Sequence, residues 1–170
     1  MWSFKGKGRP EFAVEPLEGQ ESVWDYPRPP GVEADVRRVL VMTAEVRLAE
    51  TRRALRVLET ASPPTFYLPF ASVDFSLLRE VPGSSWCEWK GAARYWTLVS
   101  STAARPVAWD YPRPRARFLR LRKHLSFYPG RVECYVDDQR VEPQPGGFYG
   151  GWVTPEIVGP FKGDPGTGHW

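Results

Sequence analysis

The stretch VRRVLVMTAEVRLAE, Val36–Glu50, decides the fold. Apolar residues recur at alternate positions, as at Val39 and Val41 and again at Val46 and Leu48. A period of two puts one face of an extended chain against a core, which predicts two strands with a bend near Thr43–Glu45. Working outward, RVECYVDDQRV (Arg131–Val141) reads as the cleanest hairpin in the chain, with Asp137–Asp138 as its turn. The 18 prolines rule out long helices, because proline lacks an N–H and locks φ. The expected class is mainly β: two small antiparallel sheets, one or two short helices, and extended arms at both ends.

Several other segments take a local reading. TRRALRVLE carries a capping residue, Thr51, and leucines three apart at 55 and 58, which predicts a short helix over about 52–60. The prolines of SPP stop it. TFYLPF is a short aromatic strand, Asp74–Leu78 a single helical turn, and RYWTLV and VAWDYP two further strands. Phe118, Leu121 and Leu125 fall at i, i+3 and i+7, which predicts a helix in RPRARFLRLRKHLSF.

The chain of 170 residues fits one domain, expected over 23–142. Residues 1–22 read as an extended arm. From Glu142 onward lie more than half of the glycines, but Phe148, Trp152 and Phe161 punctuate the segment as apolar anchors. A disordered tail would lack them, so 143–170 is expected to be an ordered arm wrapped over the body.

Charge and composition exclude some functions. A net charge of +3 is too mild to imply nucleic acid, although it suits a small anionic ligand. No stretch approaches a membrane span, and the opening MWSFKGKGRPEF lacks the apolar region of a secretory signal. Cys87 and Cys134 form no CxxC pair, so a reducing cytoplasm is the expected location. With His124 and His169 equally scattered, neither metal nor cofactor is expected.

WDYPRP occurs twice, at Trp24–Pro29 and Trp109–Pro114. Each copy precedes a strand–turn–strand pattern, with Arg38-Val39 answering Arg131-Val132 and Arg47 answering Arg140. This suggests a partial internal duplication in which both copies form related corners, each ending a strand where proline removes a ladder donor.

The blocks TRRALRVLET, PPTFYLP, WCEWKGAARYW, AWDYP and FYPGRV occur in that order. Together they resemble the domain of unknown function 427 family, over roughly residues 36–133. The ending GGFYGGWVTPEIVGPFKGDPGTGHW is similar to the tail of longer bacterial members. One departure is Glu88, which stands where the family pattern has proline after the cysteine. The resemblance implies a β-tent fold of the Mss4-like and methionine sulfoxide reductase kind, with a cleft between leaning sheets. It also brings a nucleotidyltransferase label. Polymerase-type transfer needs carboxylates that hold two metal ions. The one adjacent acidic pair, Asp137–Asp138, sits where a hairpin turn favours Asp for backbone reasons alone. No P-loop is present.

The candidate site follows from residue type and strand parity. Gly91 permits a turn closed to other residues, which would aim Lys90 as an anion anchor. Trp109 and Tyr111 are two apart, hence on one face, and with Tyr67 and Trp96 they could wall a ring-binding cleft. Arg52 and Arg53 would reach the rim and keep their heads wet. Cys87 near Lys90 is a weaker candidate for a reactive thiol; a small buried apolar cysteine is the plainer reading. The basic run from Arg113 to Lys123 reads as a solvated face. Two functions stay open: a small-molecule binder, with an enzyme using Cys87 or Lys90 as its variant, and a structural module that self-associates, such as a homodimer.

Overall fold

The computed structural model describes residues 1–170 and is mainly β, with isolated 3-10 turns as its only helices. The chain enters through β1 (Glu21–Ser22) and β2 (Gly31–Asp35). The alternating stretch folds as expected into β3 (Val39–Thr43) and β4 (Val46–Thr51). Ala44 and Glu45 both take positive φ between them, the conformation whose twist matches a two-residue hairpin. Next come β5 (Ala54–Leu58), β6 (Thr65–Pro69) and the long hairpin of β7 (Leu78–Cys87) and β8 (Gly91–Leu98). β9 (Ala108–Asp110) and β10 (His124–Phe127) precede the second tight hairpin, β11 (Glu133–Val136) and β12 (Gln139–Arg140). The last segment adds only two-residue strands, β13 (Glu142–Pro143), β14 (Trp152–Val153) and β15 (Ile157–Val158).

Two antiparallel sheets form the body. One has seven strands in the order β2-β5-β6-β10-β9-β8-β7, the other four in the order β12-β11-β3-β4. The two tight hairpins are therefore neighbours, joined by β3 and β11, with Cys134 opposite Val41. Both turn on two residues of positive φ, Ala44–Glu45 and Asp137–Asp138. Arg38 ties them further, with its N–H donating to Asp137 and its guanidinium to Glu50 and Asp138.

The main core fills the space between the sheets. Val39, Val41, Leu48 and Cys134 meet Phe66, Leu68, Leu125 and Phe127 there, all buried. Trp152 of the C-terminal arm enters this core, fully buried and stacked on Phe66 at 4.8 Å, with its indole N–H donating to the Phe127 carbonyl at 3.0 Å. Burial of such a ring is worth roughly 1.5–3 kcal/mol.

Both arms meet on Trp24. Phe4, Phe12 and Trp170 surround that indole with ring centroids 5.0–5.3 Å away, and Trp170 stacks on Phe12. An ionic lattice clamps the arms to the body. Arg56 pairs with Glu21, Glu33 and Asp35, and Arg37 pairs with Asp35 and Glu156.

Three expectations are corrected. The 52–60 helix is a turn followed by β5. Thr51 does cap, accepting from the Arg53 N–H at 2.9 Å, but it caps a turn. Pairing with β2 and β6 on either side then buries β5 on both faces, which hides the period-two signal. The helix expected around Phe118–Leu125 stops at Leu121 as a 3-10 segment from Ala116. Lys123 then turns at positive φ, and Leu125 belongs to β10. The two WDYPRP copies are not related corners. Trp24 and Asp25 lie in a 3-10 turn capped by Ser22, whereas Trp109 and Asp110 lie in β9.

Candidate functional site: an aromatic cavity with a buried lysine

Successive residues of the seven-stranded sheet face opposite ways. Phe66, Leu68, Ala108 and Phe127 face the main core. Their neighbours Tyr67, Trp109 and Tyr128 face the other side, where they border a cavity of about 510 Å³. The cavity is thus on the far face of the large sheet, and not between the two sheets, whose interior is filled by core. Its roof comes from the arms: Trp2 from the N-terminal arm, and Gln144, Phe148, Tyr149 and Lys162 from the C-terminal one. The roof sits close to the wall, since a Cβ on Gly150 would collide with the Trp109 indole. Gln144 fixes the roof internally, donating to the Lys162 carbonyl at 2.6 Å and accepting from the Gly151 N–H at 3.1 Å.

The turn from Cys87 to Gly91 supplies the polar wall. Cys87 and Gly91 are the last paired residues of the β7–β8 hairpin, and Glu88, Trp89 and Lys90 span its tip. Gly91 has a φ of +106°, which a side chain would strain, and the Lys90 carbonyl is held by the Arg115 N–H at 3.0 Å. The lysine is therefore aimed inward. Lys90 is 9 % exposed, and its ammonium lies 5.6 Å from the centre of the Tyr111 ring. Burial works against the charge, but the acidic groups around it, Glu59 among them, outweigh burial and leave its pKa above the usual lysine value. No carboxylate lies within ion-pairing distance of it; the nearby Glu59 pairs instead with Arg28 at 3.3 Å. The Trp89 indole N–H, also in the wall, is buried without an acceptor.

The aromatic wall is a connected set. The Trp109 indole donates to the Tyr67 hydroxyl at 3.2 Å and lies 4.5 Å from the Tyr128 ring. Tyr95 sits opposite Trp109 in the ladder. Burial pushes the Tyr67, Tyr111 and Tyr128 hydroxyls above the usual tyrosine pKa, so they stay neutral donors. Lys162 is the second lysine at the cavity, its ammonium 4.0 Å from the Trp2 ring. Burial pulls its pKa below the usual value, against the pull of Glu59.

Of the residues singled out in the sequence, Cys87, Lys90, Tyr67, Trp109 and Tyr111 converge on this cavity. Arg52 and Arg53 do not; they are exposed in the turn between β4 and β5. Trp96 faces the opposite way, packing on Phe75 at 5.2 Å and donating to Asp110 at 2.9 Å. Strand parity could have identified Tyr95 in its place, because Tyr95 pairs with Trp109 and Trp96 with Ala108. Nothing in the sequence pointed to Trp2 or Lys162, which reach the cavity only through the path of the arms. Asp137 and Asp138 occupy a hairpin turn of the other sheet, paired to Arg38, and are not at the cavity.

A search among curated proteins finds no match. Residues 31–138 match the family described as Domain of unknown function (DUF427), and with more than half of its length matched the chain belongs to that family.

Proposed function

We propose that the protein binds a small organic molecule carrying a flat ring and an acidic group. The observation that carries this reading is the Lys90 ammonium, charged and buried at an aromatic wall with no carboxylate within ion-pairing distance. A ligand acid would supply the direct ion-pair partner that no carboxylate of the protein supplies. Tyr67, Trp109 and Tyr111 supply flat apolar area, and a few polar groups set orientation, which is the usual economy of a small-molecule site. The two free cysteines fit a reducing compartment, and a cytoplasmic location belongs to the same proposal. No helix is long and apolar enough to cross a membrane.

Titration with 8-anilinonaphthalene-1-sulfonate, a ring-bearing anion, tests the reading. Saturable binding by the native protein, weakened about tenfold or more by Lys90→Met, is expected; that corresponds to about 1.4 kcal/mol or more. Binding that is absent, or indifferent to Lys90, would refute it. A second reading, self-association, draws on one observation: Trp86 and Phe148 border the cavity at 70 % and 77 % exposure. A copy of the chain that covered both rings would bury them, and sedimentation would then give a mass that rises with concentration.

A further inference from the structure

The two cysteines have opposite surroundings. Cys134 is fully buried between the sheets, where burial pushes its thiol pKa up. Cys87 is half-buried and borders the cavity, at the end of β7. Three residues further on, Lys90 borders the same cavity, nine-tenths buried and without an ion-pair partner. The thiolate is the nucleophilic form of cysteine, and an adjacent cation is what stabilises it. The same turn carries the Trp89 indole N–H, buried without an acceptor. The Lys90 ammonium, without an ion-pair partner in a cavity that Cys87 also borders, offers an anchor for an acid group near a nucleophile.

We propose that Cys87 is a covalent acceptor site whose sulfur attacks an electrophilic carbon next to the acid group of a small organic carboxylate. The inference rests on the ring-bearing-anion reading of the cavity and adds a bond-forming step to it. The carboxylate docks on Lys90, which brings the neighbouring carbon to the sulfur. The thiol proton passes to water. The sulfur then forms the S–C bond, and the leaving group departs with the electron pair of the bond that breaks. Lys90 acts as the anchor of the carboxylate. The product is a thioether on Cys87.

Iodoacetate and iodoacetamide test this on the full chain, because they transfer similar groups and differ in charge. With iodoacetate the S–C bond forms, the C–I bond breaks and iodide leaves. An ordinary thiolate such as glutathione disfavours the anionic reagent, since like charges repel. The expected result has two parts. Peptide mass mapping finds Cys87 alkylated and Cys134 untouched in the native protein. The iodoacetate-to-iodoacetamide rate ratio at Cys87 exceeds that of glutathione by about tenfold or more. Lys90→Met brings the ratio back to that of glutathione, and Lys90→Arg, which keeps the charge, retains the preference. Melting curves of both variants confirm that the rates come from folded protein. A native ratio equal to that of glutathione, or Cys87 as slow as Cys134, would overturn the proposal. If the native protein still binds the naphthalene sulfonate in that event, only the covalent step is lost. If it does not, the binding reading fails with it.

Discussion

The same six residues, WDYPRP, do different jobs at two places in the molecule. In the first copy Trp24 is the hub on which both arms close, ringed by Phe4, Phe12 and Trp170. In the second, Trp109 is a wall of the cavity. Tyr26 donates to Glu21 at 2.6 Å, whereas Tyr111 turns its ring toward Lys90. Asp25 is a surface partner of Arg9, but Asp110 is 1 % exposed, holding Arg94 and the Trp96 N–H. Arg28 is almost fully buried and donates to the Phe4, Thr60 and Trp170 backbone oxygens, while Arg113 is exposed. A hexapeptide thus specifies a buried Trp and Tyr, and its neighbours decide whether they face protein or a cavity.

Breaking the arm that joins the two regions should have the largest effect. Deleting residues 143–170 removes Trp152 from the main core and the roof from the cavity. Loss of one buried Trp alone costs about 3–5 kcal/mol. For a chain of this size each kcal/mol lowers Tm by about 2–4 °C, so a fall of about 6–20 °C or more is expected in a calorimetric scan. An unchanged Tm would refute the docking of the arm.

Next in size is the contrast between the two aspartates. Asp110→Ala leaves Arg94 and Trp96 without their acceptor. The expected loss is at the lower end of the roughly 3–5 kcal/mol for breaking a buried pair, because Arg94 keeps 31 % of its side chain in water. Asp25→Ala should cost about 1 kcal/mol or less, as exposed pairs do. Urea melts of the two variants give the comparison, and equal losses would erase it.

Acid should loosen the ionic lattice of the first region. Burial alone would raise the Glu21, Asp35 and Glu156 carboxyls. Hydrogen bonds from Arg56 and Tyr26 to Glu21, and from Arg37 to Asp35 and Glu156, outweigh burial and hold all three below their usual values. A carboxyl depressed in the folded state stabilises fully above its unfolded pKa, near 4, and loses that contribution as pH falls through the folded value. Tm should therefore be flat from about pH 7 to 5 and fall below about pH 4. Arg56→Met, which removes one of the two partners of Glu21, should shrink that fall; an identical pH profile would show that the lattice does not clamp the arms.

Strand parity made much of this legible. The alternation in Val36–Glu50 and the Asp137–Asp138 turn led directly to two hairpins that the structure contains. The glycine after Lys90 correctly implied a fixed turn. Parity failed where it was applied to one residue without its ladder partner, as with Trp96. It also failed at β5, where burial on both faces removes alternation and leaves a spacing that fits a helix equally well. The roof was illegible for another reason. Trp2 and Lys162 lie 160 residues apart in sequence, and only the closure of both arms on Trp24 brings them over the sheet. A capping residue, likewise, marks the start of a turn before it marks a helix, as Thr51 shows.

The central claim is that Trp109, and not its twin Trp24, belongs to a ligand site. The most direct measurement is the affinity of 8-anilinonaphthalene-1-sulfonate for Trp24→Phe and Trp109→Phe, each at a temperature where melting curves show it folded. The account predicts a Kd close to that of the parent for Trp24→Phe and one raised about tenfold for Trp109→Phe, a loss of about 1.4 kcal/mol. Equal weakening by both substitutions, or none by Trp109→Phe, would contradict it.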